Sequence, residues 1–198
     1  WGLTFISAKV LVSALDRYEI IVLRFLIAWA ALFVLSPRPL WPKSLRSELP
    51  FVFCALSGVT LYYILQNIAL ANTSASNTGV ISACAPLFTA LILWLVCKKV
   101  RLTPLYFLGF VLALSGVFLI TFSDLKTVSF HFFGDLMALL MAVCWGVYCV
   151  LLSRIDSGGL SEIQLMRKIF FWGILTSSLP ALLFGEFHFS LIVHTPAL

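Results

Sequence analysis

The chain has 198 residues, of which 62% are hydrophobic and only 11% are charged, with a formal net charge of +5 and a mean hydropathy of +1.08. Soluble domains are roughly half apolar and about a quarter charged, so this composition excludes an ordinary water-soluble globule. The apolar runs reach the roughly 20 residues that a helical span needs, and they are too long and too even for a membrane barrel. We therefore predict an all-α membrane protein, a polytopic helical bundle.

Seven apolar spans follow one another along the chain, and proline or charge marks most of their boundaries. We predict them at residues 1–14, 19–35, 50–71, 73–97, 105–122, 134–153 and 163–184. The sequence begins at Trp1 inside an apolar run, without the basic segment and cleavage site of a signal peptide. We expect that it starts partway through a helix.

Lysine and arginine are distributed unevenly between the two sets of loops. Those after spans two, four and six are Arg38, Lys43, Arg46, Lys98, Lys99, Arg101 and Arg154. Those in the other loops are Arg17 and Lys126. Because cytoplasmic loops carry the excess of basic residues, the first set is predicted to be cytoplasmic, as is the N-terminal end of span one. The positive net charge is then mainly a topology signal, and it requires no nucleic acid.

A pattern in span two recurs in span seven. The stretch "EIIVLRFLIAWA" at residues 19–30 is matched by "EIQLMRKIFFWG" at 162–173, and Trp1–Gly2 recurs as Trp145–Gly146 with the same spacing to within one residue. The second copy is displaced by five spans along the chain, an odd number of crossings, so it is upside down in the membrane. Inverted repeats are typical of secondary transporters. We predict an inverted repeat of five transmembrane helices, with seven of an expected ten present and the chain cut at both ends.

The repeat divides the chain into two predicted domains. Residues 1–122 hold the first repeat, truncated at its N-terminus, and residues 134–198 hold the start of the second, inverted repeat.

Two basic side chains lie inside predicted spans, where an ionisable group is a functional candidate by default. Arg24 is about five residues into span two, and Lys9 is about five residues from the end of span one. Both side chains are long enough to reach the headgroups, so anchoring stays open beside contact with a substrate or gate. Arg167 and Lys168, near the start of span seven, are interpreted as topology signals.

Uncharged polar side chains gather where span three ends and span four begins. They are Gln66, Asn67, Asn72 and Asn77, with Tyr62 and Tyr63 one turn deeper. Amides and phenols can bind a polar metabolite in a largely apolar cavity, and hydrogen bonding between helices is the alternative. Trp1 and Trp145 either line the same cavity or pack between helices. The predicted substrate-binding residues are Lys9, Arg24, Tyr63, Asn67, Asn77 and Trp145.

Span four begins with small residues at every fourth position: Ala71, Ala75, Gly79 and Ala83. This spacing lets helix backbones approach closely in lipid, so we expect span four at the centre of the bundle. Pro86 removes a backbone hydrogen bond in mid-span, and either a break beside a cavity or a plain kink fits it.

Motifs for catalysis or cofactor binding are missing from the sequence. The eight carboxylates lie at predicted helix ends or in loops, and the five cysteines include no Cys-x-x-Cys pair. There is no phosphate-binding glycine loop, no His-Glu-x-x-His and no Gly-x-Ser-x-Gly. We therefore expect no enzyme activity, no cofactor and no metal.

Several segments of the chain carry a family resemblance through their order and spacing. They are "WGLTFISAK", "LRFLIAWAALFVL", "ALANTSASNTGVISACAPLFTALILWL" and "GFVLALSGVFLI", followed by "GDLMALLMAVCWGVYCVLLSR". The first four resemble the EamA domain of the drug/metabolite transporter superfamily, and the fifth is similar to the start of a second copy. The resemblance implies an inner or plasma membrane protein of ten helices in two inverted repeats. It also implies, often, export of amino acids or other small metabolites, while some members import. One departure is Cys97-Lys98-Lys99, where members commonly carry a Gly-Glu-Arg-like turn. The role of that acid is therefore not carried over.

The resulting prediction is a secondary transporter that exports a small metabolite, such as an amino acid, by alternating access. Its expected partners are the lipid bilayer and a small-molecule substrate, and a homodimer is left open. The alternatives are a seven-helix membrane receptor, which needs no inverted repeat, and a non-transporting membrane scaffold.

Overall fold

A computed structural model describes residues 2–14, 17–38, 40, 44–97, 102–121, 131–156 and 158–184. Every regular element in these ranges is helical. In chain order they are α1 (Gly2–Ala14), α2 (Arg17–Leu35), α3 (Leu45–Ala55), a π segment (Leu56–Leu61), α4 (Tyr62–Asn72), α5 (Ala75–Ser82), α6 (Ala85–Cys97), α7 (Pro104–Thr121), α8 (Phe132–Leu152) and α9 (Glu162–Phe184). The predicted all-α fold is confirmed, and most helices begin and end within a few residues of the predicted spans.

Four helical stretches in the described ranges are long and apolar enough to cross a bilayer. They are Tyr18–Leu35, Leu45–Asn72, Ala75–Val96 and Phe132–Leu152. α7 contributes the shorter apolar stretch Pro104–Gly116, and α9 is 23 residues long but carries three charged residues in its first two turns. These lengths and compositions support a polytopic membrane protein.

The centre of the bundle is span three, the continuous stretch from α3 through the π segment to α4. Half of the residues in its apolar 18-residue window are buried, against 11% in the corresponding window of the fourth span, α5–α6. The expectation that span four lies at the centre is therefore wrong. A Cβ added at Gly79 would lie 3.9 Å from its nearest neighbour, an ordinary contact, whereas one added at Gly146 would lie 2.9 Å from the Thr89 nitrogen. The close helix approach thus comes from a glycine on α8 rather than from the predicted stripe.

Span four is broken next to Pro86. α5 ends at Ser82, Ala83 and Cys84 form a turn, and α6 begins one residue before the proline. In the first turn of a helix the missing proline N–H costs no hydrogen bond. The Pro86 carbonyl accepts a hydrogen bond from the Tyr106 hydroxyl at 3.0 Å. The sequence left open a break beside a cavity and a plain kink, and the structure shows that the helix is interrupted here.

The π segment joins span three closely to α8 and α9. A Cβ added at Gly58 would lie 2.4 Å from Cδ2 of Tyr148, and the Oγ1 atoms of Thr60 and Thr176 are 2.6 Å apart. Single π turns often mark functional sites within otherwise α-helical segments. No feature of the sequence predicted this one.

Two apolar clusters fill the described part of the bundle. The first includes Ile21, Phe25, Cys54, Val59 and Ile169 and joins α2, span three and α9. The second includes Phe5, Ala8, Tyr62, Leu70 and Met141 and joins α1, α4 and α8. Tyr63 and Trp145 pack against both clusters, so these two predicted site residues lie where the two halves of the core meet.

Candidate functional site

An aromatic row crosses the middle of the bundle. It consists of Phe25, Tyr63, Tyr62, Trp145 and Tyr148, whose successive ring centroids are 5.0, 4.9, 5.1 and 5.2 Å apart. The rings come from α2, α4 and α8, and they meet at the distances and tilted angles that aromatic pairs favour. Tyr62, which was outside the predicted set, is the link between Tyr63 and Trp145.

Arg24 lies against the aromatic row. Its guanidinium carbon is 4.9 Å from the centroid of the Tyr63 ring, which is a cation–π contact. Arg24 also lines a groove of about 490 Å³ between α1 and α2, together with Thr4, Ser7, Ala8, Leu11, Ile20, Leu23 and Ile27. Arg24 thus lies between an aromatic surface and a groove, and its contact with a substrate stays a prediction.

Lys9 and Asn77 meet at Thr73, just after the end of α4. Lys9 Nζ donates hydrogen bonds to the carbonyl oxygens of Leu70 at 2.9 Å and of Thr73 at 2.5 Å. Asn77 Nδ2 donates to Thr73 Oγ1 at 3.3 Å and to Asp135 Oδ1 at 3.4 Å. Two predicted residues from different spans therefore belong to one polar cluster, which we define as Lys9, Thr73, Asn77 and Asp135.

Asp135 is the member of this polar cluster that sequence reasoning missed. Its Oδ1 accepts a hydrogen bond from Thr73 Oγ1 at 2.8 Å, and its Oδ2 accepts one from the His131 backbone N–H at 3.1 Å. It lies in the first turn of α8, where a carboxylate is favoured by the helix dipole alone. Because the helix dipole explains such a carboxylate, Asp135 was not predicted as a site residue. The available signal was that span six begins at the same end of the bundle as the amides of span four.

Asn67 and Gln66 occupy α4 between the aromatic row and the polar cluster. They are 2% and 1% exposed, respectively, and Gln66 Nε2 has no hydrogen-bond partner among the described residues. A buried unpaired donor costs about 1–3 kcal/mol, so its retention at the centre of the bundle calls for an explanation.

The predicted residues therefore divide into two groups along α4. Tyr63 and Trp145 belong to the aromatic row and Arg24 lies against it. Lys9 and Asn77 belong to the polar cluster, about 10–15 Å farther along the helix at 1.5 Å per residue. Asn67 lies between the two. Trp1, the proposed mate of Trp145, lies outside the described residues. Among those residues, His, Cys, Asp and Glu side chains form no group of three that could hold a metal ion.

A second charged site lies where α9 begins. Glu48 on α3 is 3% exposed, and its Oε1 is 2.6 Å from Lys168 Nζ, while its Oε2 accepts a hydrogen bond from Trp172 Nε1 at 3.0 Å. Arg167, also 3% exposed, donates hydrogen bonds to the carbonyl oxygens of Ser36 and Arg38 after α2. Arg167 and Lys168 therefore bind helices together, a role that their interpretation as topology signals did not include.

These side chains border a cavity of about 180 Å³ between α2, α3 and α9, which we call the α9 cavity. Its lining residues are Trp29, Phe33, Leu40, Glu48, Arg167, Lys168, Phe171 and Trp172. Trp29 and Trp172 occupy matching positions in the two copies of the repeated sequence pattern. Equivalent positions of the predicted repeat thus face one space.

Comparisons with known proteins agree with this membrane architecture. Residues 1–122 match the EamA-like transporter family. The chain is also 33% identical over 162 residues to an uncharacterized transporter of Archaeoglobus fulgidus, in an alignment that covers 78% of this chain and 54% of that protein. The chain therefore spans about half the length of this relative. No solved structure matches the present chain.

Proposed function

We propose that this chain, which belongs to the EamA-like transporter family, forms part of a secondary transporter for a small metabolite such as an amino acid. The resemblance seen in the sequence is confirmed by the match over residues 1–122. Membership makes the chain a multi-pass membrane protein and points to a transporter rather than an enzyme. The direction of transport, which we propose to be export, and the mechanism of alternating access go beyond that membership.

The observation that carries the proposal is the succession of polar groups along α4. Arg24 and the aromatic row come first, the buried amides of Gln66 and Asn67 follow, and the polar cluster around Thr73 lies at the end of the helix. A small molecule cannot contact both ends at once over about 10–15 Å. We therefore interpret the series as consecutive positions on one path through the bundle.

The charges along this path suit a zwitterionic substrate with an apolar side chain. Arg24 and Lys9 can each attract a carboxylate, Asp135 can attract an ammonium group, and the aromatic row offers an apolar surface. Binding sites of this kind are mostly apolar, with a few polar groups that fix the orientation of the ligand.

The packing of α2 against α9 supports the inverted repeat on which alternating access depends. Arg167, near the start of α9, reaches the carbonyl groups of Ser36 and Arg38, which follow the end of α2. The two helices that carry the repeated pattern therefore run in opposite directions. Inverted repeats let one packing arrangement exist in two opposite-facing versions. The division at residues 122 and 134, and a cytoplasmic N-terminal end, remain part of the proposal.

A transport assay on the full-length protein tests this function. We would reconstitute the protein into liposomes and measure the flux of a panel of radiolabelled amino acids, comparing the wild type with Arg24→Ala, Arg24→Lys and the control Arg46→Ala, which changes an exposed residue on α3. Loss of a charge-assisted substrate contact predicts a decrease on the order of tenfold or more for Arg24→Ala, partial recovery with lysine, and no change in the control.

Two outcomes would contradict the proposal at different levels. Normal flux through an inserted Arg24→Ala protein would remove Arg24 from the substrate-binding set. Saturable binding without net flux by the wild type, for every compound tested, would favour the receptor or scaffold alternative instead.

A further inference from the structure

We propose that the α9 cavity binds the headgroup of an anionic phospholipid, with the lipid chains lying against the aromatic side chains at its rim. The cavity is separate from the path along α4, and the proposal rests only on the chain being a multi-pass membrane protein. Three features support it: the depth of the cavity in the bundle, its excess of positive charge, and its opening between exposed aromatic rings.

We expect the charged groups near the depth of lipid headgroups, because they lie within the first two turns of their helices. Glu48 is in the first turn of α3, and Lys168 is six residues after the start of α9, or about 9 Å at 1.5 Å per residue. Clusters of basic residues between transmembrane helices at this depth are typical binding sites for acidic headgroups. The position therefore fits a phosphate at the membrane surface.

The cavity carries more positive than negative charge. Arg167 and Lys168 line it together with a single carboxylate, Glu48. The described hydrogen bonds of Arg167 use one N–H of each terminal nitrogen, and the ammonium group of Lys168 forms one ion pair. A guanidinium has five N–H donors and an ammonium three, which is more than the described hydrogen bonds and ion pair of these two groups use.

The rim of the α9 cavity is aromatic and open. Phe33 and Phe171 are 42% and 45% exposed, and Trp29 and Trp172 complete the wall. Aromatic side chains at this depth are characteristic of the membrane interface, where one end of the ring contacts lipid chains. A lipid can therefore place its headgroup on the basic residues without leaving the bilayer.

The two halves of the Glu48–Lys168 ion pair allow a sharp test. Either Glu48→Gln or Lys168→Gln breaks the same ion pair, but the first raises the net charge of the cavity and the second lowers it. We would measure the binding of phosphatidylglycerol and phosphatidylcholine to the purified full-length protein by native mass spectrometry. The expected changes are about fivefold tighter phosphatidylglycerol binding for Glu48→Gln and about fivefold weaker binding for Lys168→Gln, the effect of one basic charge near acidic lipid.

Two control variants hold the net charge of the cavity at its wild-type value. The double variant E48Q/K168Q removes one charge of each sign, so its phosphatidylglycerol affinity should fall between those of the two single variants. Arg46→Gln removes an exposed cation two residues before Glu48 on α3, which places it on another face of the helix, and it should leave binding unchanged.

Three outcomes would overturn the proposal. The first is a shift of phosphatidylglycerol affinity in the same direction in both single variants, because that reflects damage to the fold. The second is equal binding of both lipids by the wild type, a comparison that needs no variant. The third is that soluble glycerol 1-phosphate raises the melting temperature of the protein as much as phosphatidylglycerol does. That result would identify a site for soluble phosphates rather than for lipid.

Discussion

Lys168 and Glu48 form an ion pair that joins α9 to α3, with 2.6 Å between Nζ and Oε1. The ammonium nitrogen also lies 4.4 Å from the centroid of the Phe51 ring, and Trp172 donates a hydrogen bond to the other carboxylate oxygen. Each group of the pair therefore has a second partner inside the bundle. Together with Arg167, they fasten the start of the second predicted repeat to the first.

Removing one member of this pair should destabilise the protein more than removing both. Glu48→Gln or Lys168→Gln leaves one charge buried without its partner, which costs about 3–5 kcal/mol in comparable buried pairs. The loss of stability should lie toward the lower end of this range, because the Lys168 side chain is still 14% exposed to solvent. The midpoint of unfolding by sodium dodecyl sulfate in mixed micelles measures the change. If the double variant E48Q/K168Q is less stable than both single variants, the pair is not the source of the effect.

Glycine substitutions should separate close helix contacts from open helix faces. Gly58→Ala would place a Cβ within 3 Å of three atoms of the Tyr148 ring, and such overpacking typically costs about 1–3 kcal/mol. Gly116→Ala on α7 is the matched control, because no described atom lies within 4 Å of its added Cβ. The control should be neutral or stabilising by up to about 1 kcal/mol, the difference in helix propensity. Thermal unfolding in detergent should rank the variants in this order, and equal melting temperatures would contradict the observed packing.

The positions of the helices could be predicted from the sequence, but the contacts between helices could not. Long apolar runs ended by proline or charge define spans, so the helical segments could be placed closely. The pairing of Glu48 with Lys168 could not be predicted, because a carboxylate in the first turn of a helix is favoured by local electrostatics whether or not it has a distant partner. Asp135 was missed for the same reason. Which span is central depends on contacts with α8 and α9, and no single helix encodes that information.

Removing the hydroxyl group of Thr60 and removing that of Thr176 should destabilise the protein by different amounts, although both changes break the same hydrogen bond. Thr176 Oγ1 is also 2.9 Å from the Trp172 carbonyl oxygen, to which it can donate its only proton. Thr60 is then the donor between the two hydroxyl groups. Thr176→Val leaves the buried Thr60 hydroxyl without this acceptor and should cost about 1–3 kcal/mol, whereas Thr60→Val should cost about 1 kcal/mol. Unfolding midpoints of both variants and the double variant test this order, and a costlier Thr60→Val would reverse the donor assignment.

Lys9 should contribute to stability and transport in ways that two substitutions can distinguish. Its ammonium group caps the carboxyl end of span three through the carbonyl oxygens of Leu70 and Thr73. A cation at a helix C-terminus contributes about 0.3–2 kcal/mol, so Lys9→Met should lower the unfolding midpoint and Lys9→Arg should largely preserve it. If Lys9 only supports the fold, Lys9→Met should transport at the wild-type rate per folded molecule. If it also contacts substrate, as proposed, flux per folded molecule should decrease on the order of tenfold and recover partly with arginine. Unchanged flux together with lower stability would restrict Lys9 to its capping role.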